Sequence, residues 1–287
     1  MNFYHVLITQ FNLRNFPKSS NASNEQWLNW TRNRIELFKK YCLPSVVNQT
    51  TRNFKWLIYF DTATPPEFSP FIGELTKYDF IEVCYCDGSE RFFNNYFNEV
   101  IQRIPNGCQW VLSSRLDNDD MLHKDAIKTI QENFVEKQNF IISLASGYVL
   151  DIDRNVLAHY FYSMSPFISL IESVNANPIG IFARPHTQWP TLKLSVLKEC
   201  YLHFFKPQKR LSIFILSRPL WIQVFHGGNV ANSFYRGLPV LSSVNLTDFG
   251  MDIITKKMKI KELFKFSNYV LWKRYFKASV VRAIINK

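Results

Sequence analysis

The chain has 287 residues, 47% of them apolar and 16% aromatic, with a formal net charge of +11. That composition is enough for a real core in one large domain or two small ones, and it excludes a disordered chain. No stretch reaches the roughly 20 apolar residues of a bilayer helix: Arg218-Pro219 breaks the best candidate, and Asn2, His5, Gln10, Asn12 and Arg14 interrupt any leader at the start.

Residues 3–9 read as a first strand and 10–23 as a polar loop. A helix follows over 24–42, with Trp27, Trp30, Ile35, Leu37, Phe38 and Tyr41 at helical spacing, capped by Ser23 or Asn24 and interrupted by Pro44. The run 54–60 is a second strand ending in Asp61, and 68–77 has helical character. A third strand, 80–86, ends in Asp87-Gly88 and leads to a helix over 91–104. A fourth, 110–113, precedes Leu116-Asp117-Asn118-Asp119-Asp120, and a helix over 122–136 comes next. Residues 140–144 and 147–152 read as a strand pair, 179–184 as a strand, 192–204 as helical, and 221–225 as a strand running into His226-Gly227-Gly228-Asn229.

Four strands alternating with helices predict an α/β fold: a mostly parallel twisted sheet with helices on both faces. Binding sites in such sheets lie beyond the carboxyl ends of the strands, where Asp61, Asp87 and the 117–120 cluster fall. The expected organisation is one catalytic domain over 1–253, with a nucleotide-binding half near 1–120 and an acceptor half near 121–253. The segment 254–287 is separate in character, because ten Lys/Arg face the single acid Glu262. The body is therefore nearly neutral, which argues against a nucleic-acid groove and for a tail that meets a negative surface. Trp272, Phe276, Val280 and Ile284 at i,i+4 spacing fit either an amphipathic helix on anionic lipid or a terminal helix packed on the domain. Five cysteines at no zinc spacing read as reduced thiols of a cytoplasmic protein, peripheral at the membrane if the tail binds lipid.

Three carboxylates within four residues are not core filling, because like charges at that density need water, Lys/Arg or a cation to offset them. Helix capping accounts for one of them. Hard oxygen ligands suit Mg²⁺ or Mn²⁺ completed by phosphate oxygens and water, with Asp119, Asp120 and His226 as candidate ligands and Asp117 beside them. Calcium-loop spacing is absent. Arg14, Arg32, Arg34, Arg91 and Arg115 are candidate phosphate contacts, Arg115 equally a partner for the acids beside it. No G-x-G-x-x-G, Walker or G-x-S-x-G motif occurs. Asp151 and Asp153 are the candidate bases for a hydroxyl, with Asp248 further along. Trp189 either stacks on a sugar or packs on its own domain.

These residues resemble bacterial glycosyltransferases of the GT-A type, and more narrowly the rhamnosyltransferase family of polysaccharide biosynthesis. The resemblance rests on Trp30-Thr-Arg-Asn-Arg34, Cys42-Leu-Pro-Ser-Val46, 54–61, Ser114-Arg-Leu-Asp-Asn-Asp-Asp120 and 221–229, and spans about 3–230. It implies a nucleotide-diphospho-sugar donor (rhamnose by the family name), a cell-surface polysaccharide or glycolipid acceptor, and Mn²⁺ or Mg²⁺. Asp119 would ligate the metal, with Asp117 or Asp120 assisting through ribose, sugar or water, and Asp61 would lie near base or ribose. Asn12, Arg14, Asp87, Arg91 and Arg115 complete the expected donor contacts. Thr9-Gln10-Phe11-Asn12 departs from the pattern, with Gln where Arg is usual. The competing readings are a nucleotidyltransferase or phosphohydrolase, and a non-catalytic nucleic-acid-binding module that uses the basic tail.

Overall fold

The computed structural model describes residues 2–16, 21–189, 202, 205–226, 234–259 and 262. The expected helix over 192–204 lies almost wholly outside them. So do Gly227, Gly228, Asn229, Cys200 and nearly all of the basic segment, including Trp272, Phe276, Val280 and Ile284.

In chain order the first half contains β1 (Phe3–Gln10), α1 (Asn21–Leu37), α2 (Leu43–Val47), β2 (Lys55–Asp61), α3 (Ser69–Leu75), β3 (Ile81–Cys86), α4 (Gly88–Gln102) and β4 (Trp110–Arg115). Between α1 and α2 the helix widens into one π turn over Phe38–Cys42. The second half contains β5 (Met121–Leu122), α5 (Ala126–Glu132), β6 (Phe140–Leu144), β7 (Ser146–Asp151), β8 (Val156–Phe161), β9 (Ile168–Ser173), β10 (Ser212–Ile215), β11 (Trp221–Phe225) and β12 (Leu238–Pro239).

A seven-stranded sheet has the order β10-β6-β9-β4-β1-β2-β3. All of its pairings are parallel except those of β9, which runs antiparallel to both β4 and β6. Val6, Leu7 and Ile8 are all buried, as are Trp56 to Phe60, because a parallel sheet is covered on both faces and its strands carry continuous apolar runs. One face packs Leu7, Ile58 and Phe60 against Phe38, Val46, Phe71 and Ile127 of the helical layer. The other packs Val6, Ile8, Leu57 and Tyr59 against Phe92, Tyr96 and Val100 of α4. The expected α/β class is the one observed.

Several boundaries differ from the sequence reading. β6 and β7 were expected as a pair but join different sheets, separated by the single residue Ala145. β7 belongs to a second sheet of order β12-β8-β7-β11-β5. The segment 179–184 is not a strand: Gly180 has φ +77° and turns the chain into a short 3-10 helix, Ile181–Ala183. Strands β5, β8, β9, β10 and β12 had no counterpart in the sequence reading, and the helix expected over 122–136 is confined to Ala126–Glu132, with Leu122 in β5. Cys42, Cys84, Cys86 and Cys108 are free thiols. Among the described residues no helix is long and apolar enough to cross a membrane.

Candidate active site

The acidic cluster is positioned by its polar neighbours. Beyond β4, the Leu116 amide donates to the carbonyl of Ile8 (3.1 Å), and the Thr9 hydroxyl donates to the Leu116 carbonyl (2.8 Å). Trp56 Nε1 donates to the same Thr9 oxygen (2.9 Å). The Asn118 amide group reaches back to the Phe11 carbonyl (2.6 Å), and the Asp120 amide closes a turn on the Asp117 carbonyl (3.3 Å). Strand β5 then pairs with β11, with Met121 opposite Ile222. The turn therefore joins the two sheets, and its three carboxylates point to different surroundings.

Asp117 is open, its side chain 49% exposed, and lies 3.4 Å from an Arg115 nitrogen. Asp120 is buried and accepts from the Val224 amide (3.2 Å). Burial pushes its carboxyl well above the usual range, and the neighbouring Asp119 and Asp117 charges push the same way. Asp119 lies between these extremes. Its Oδ2 pairs with Arg34 Nη1 and is 3.2 Å from His226 Nε2. Burial raises this carboxyl, but the His226 hydrogen bond and the Arg34 cation outweigh it, so Asp119 lies below its ordinary value.

Asp119 and Asp117 line a cavity of about 870 Å³ together with Trp30, Arg34, Phe93, Arg115, Phe182, Arg184 and His186. Trp30 and Arg34 are four residues apart on α1 and so share a face, with the guanidinium 5.0 Å from the indole ring centre. Arg115 lies 4.9 Å from the centre of the Phe182 ring, and its buried Nε has no hydrogen-bond partner. His186 has Nδ1 2.6 Å from the Met164 carbonyl; that nitrogen therefore carries the proton, leaving Nε2 an acceptor. Burial lowers the His186 pKa. Arg184, His186, Phe93 and Phe182 were not among the sequence candidates; Gly180, flanked by Pro178 and Pro185, marks the turn that delivers three of them. His226 lines an adjoining cleft on the other side of Arg34.

A second cavity, about 520 Å³, is lined by Arg14, Asp87, Gly88 and Ser89. Arg14 bridges Asp61 and Asp87, each at 2.7 Å. Asp61 itself is fully enclosed. It accepts from the Arg14 amide (3.0 Å), the Ala63 amide (2.8 Å) and the Gly88 amide (3.1 Å), so it ties together the carboxyl ends of β1, β2 and β3 and opens to neither cavity. Asn12 is buried in the same network, accepting from the Asp61 amide (3.0 Å). Gly88, at φ +79°, brings its backbone against the Arg14 carbonyl, which an added Cβ would meet at 3.2 Å. Arg91 is exposed on α4 and lines neither cavity.

Asp151 and Asp153 are also placed away from both cavities. Asp151 ends β7 and pairs with Arg154 at 2.7 Å, whose guanidinium packs on Phe234. Asp153 is exposed in the following turn. Asp248 pairs with Lys124 at 2.8 Å, and Trp189 is buried in the α4-side core.

Among the described residues no three His, Cys, Asp or Glu side chains are grouped to hold a metal ion. The donor chemistry nevertheless fits a hard divalent cation completed by substrate. Mg²⁺ and Mn²⁺ commonly use one or two carboxylates, with phosphate oxygens and water for the rest. Asp119 and Asp117 on the wall supply two such carboxylates.

Asp117 and Asp119 thus face an arginine-lined cavity at the edge of a mostly parallel sheet. The family model described as "Putative rhamnosyl transferase" matches residues 21–193. The chain belongs to that family. Comparison with curated proteins finds no match. Among solved structures the chain is similar to S. aureus TarS 1-349 at 12% identity and a TM-score of 0.41, covering 78% of this chain and 60% of that one; this chain thus matches about three fifths of its length. It is also similar to 4-diphosphocytidyl-2C-methyl-D-erythritolsynthase from Anaerococcus prevotii, at 12% identity and a TM-score of 0.30, covering 75% of this chain and 87% of that one.

Proposed function

We propose that this chain moves a sugar, rhamnose by the name of its family, from a nucleotide-diphospho-sugar to a glycan or glycolipid acceptor. The observation that carries the reading is Asp119, a carboxylate held below its ordinary pKa on the wall of a cavity that also presents Arg34, Arg115 and Arg184. Glycosyl transfer leaves a nucleoside diphosphate, and negative charge grows on it as the anomeric bond breaks. Fixed cations aimed at that charge lower the barrier without reorganising. Arg115 suits this role, because its buried, unpartnered Nε lacks an acceptor that a phosphate oxygen would supply.

Asp119, with Asp117 beside it on the cavity wall, would hold Mn²⁺ or Mg²⁺ together with donor oxygens and water; when bound, the ion would add Lewis-acid stabilisation of the departing diphosphate. Trp30 and Phe93, 39% and 51% exposed, offer ring faces for the sugar. The second cavity, with Arg14, Asp87 and the Gly88 backbone, suits the nucleoside end. The basic segment 254–287 supports attachment at an anionic membrane face, where a glycolipid acceptor would be met.

A metal-supplemented panel of nucleotide sugars tests the reading through release of nucleoside diphosphate. One donor should be turned over, with activity lost to a chelator and restored by Mn²⁺ or Mg²⁺. Asp119→Asn should lower turnover at least 100-fold, measured below its melting temperature because the change also breaks the nearly buried pair with Arg34. Undiminished activity in that variant would sink the assignment. Formation or cleavage of the diphosphate bond itself would mark a nucleotidyltransferase instead.

A further inference from the structure

Arg34 stands where two functions of the site conflict. It pairs with Asp119 Oδ2, the oxygen that His226 also approaches, and both partners are nearly buried, their side chains 12% and 10% exposed. A pair so shielded from water is weakly screened. A divalent cation approaching that oxygen meets a fixed positive charge already seated on it. Yet Arg34 also lines the large cavity, alongside Arg115 and Arg184, and guanidinium binds phosphate oxygens in a bidentate fork. Its stem is carried on α1 with the guanidinium stacked on Trp30, and Nη1 has one further neighbour, Asn118 Oδ1, at the long distance of 3.4 Å.

Resting on the donor reading above, we infer that Arg34 is a loading residue that exchanges Asp119 for the donor diphosphate. In the free protein it neutralises Asp119 and holds the metal position closed. When a diphosphate enters the cavity, Arg34 transfers to its oxygens and uncovers Asp119. Metal and diphosphate then load together, and by linkage each strengthens the other. The arrangement keeps a free cation out of the site until there is a leaving group for it to stabilise.

The two halves are separable by binding measurements without turnover. Mn²⁺ is titrated into the full chain with no nucleotide present, followed by electron paramagnetic resonance. Inorganic pyrophosphate is titrated in chelator, followed by calorimetry. Arg34→Gln should bind Mn²⁺ at least tenfold tighter than the unsubstituted chain and pyrophosphate at least fivefold weaker. Arg34→Lys, which keeps the charge, should leave Mn²⁺ binding weak. The gain should vanish when Asp119→Asn is added. Opposite shifts cannot come from misfolding, which weakens both. Arg34→Met, which keeps the stem against Trp30, is read the same way. Unchanged Mn²⁺ affinity, a gain that survives Asp119→Asn, unchanged pyrophosphate affinity, or a fall in both affinities in the Gln and Met variants alike overturns the inference. The glycosyltransferase reading is scored separately. Turnover of a nucleotide sugar with none of these shifts leaves that reading standing and removes the loading role; the shifts without turnover do the reverse.

Discussion

Asp119 and Asp120 are neighbours in the chain, yet their surroundings drive their carboxyls in opposite directions, one down beside Arg34 and His226, the other up by burial and like charge. A cluster that reads as three equivalent acids is thus divided into one exposed carboxylate, one paired carboxylate at the cavity and one that holds β11. Asp61 is divided off further, as the enclosed partner of Arg14. Its replacement by Ala should destabilise the fold by about 3 kcal/mol, read from the urea midpoint; that is the low end for a broken buried pair, because Arg14 keeps Asp87. His5 gives a pH test. Burial lowers its pKa to about 3, while Ser114 and Gln131 hold its ring nitrogens at 2.8 and 3.1 Å. An unfolded imidazole takes up a proton near 6.5, which the folded one refuses until about 3. The unfolded state therefore binds more protons in that window, and stability falls as pH drops through it, by about 2 kcal/mol from pH 6.5 to 5. Denaturant midpoints across that range should fall less steeply in His5→Gln.

Among the elements, β11 matters most, since it joins the second sheet to the acid cluster through β5 and through the Val224 amide. Its first residue, Trp221, stacks on Phe167 with ring centres 4.5 Å apart and donates Nε1 to the Leu144 carbonyl (2.6 Å). The indole lies where a side chain on Gly147 of β7 would go: a Cβ there would come within 2.0 Å of the ring. Gly147→Ala should therefore cost about 1–3 kcal/mol by overpacking, read as a lowered urea midpoint. It should also weaken activity, because displacing Trp221 shifts the strand that holds Asp120. Gly180 plays the matching part on the other side of the cavity. Its left-handed backbone and close approach to Phe97 and Tyr96 set the turn that places Phe182 beneath Arg115.

On the scale of the molecule, charge is concentrated in the C-terminal segment. The segment 254–287 carries +9 of the total +11. If it meets anionic lipid, the full chain should co-sediment with vesicles containing acidic phospholipid and not with neutral ones. Binding should weaken as salt rises from about 0.05 to 0.5 M, because the screening length shortens several-fold over that range. A chain ending at residue 259 should remain in the supernatant; equal sedimentation of the two chains would remove the tail from membrane attachment.

The continuous apolar runs of β1 to β4, separated by helical periods, were sufficient to read the parallel sheet, and the strand-end rule was sufficient to place Asp87, Asp117 and Asp119 at its edge. Both follow from local periodicity and chain direction. The second sheet was not legible, because β7 and β11 pair across some seventy residues and a one-residue linker sends β6 and β7 to different sheets. Nor was the division of labour among the acids. A carboxylate's charge state depends on what surrounds it, and Arg34, His226, Arg14 and Val224 come from segments distant in the chain. The sequence by itself determined the residue types and the sheet edge that carries them; the tertiary structure decided which carboxylates are enclosed, which is paired, and which cations share its cavity, since burial and pairing exist only once distant segments meet.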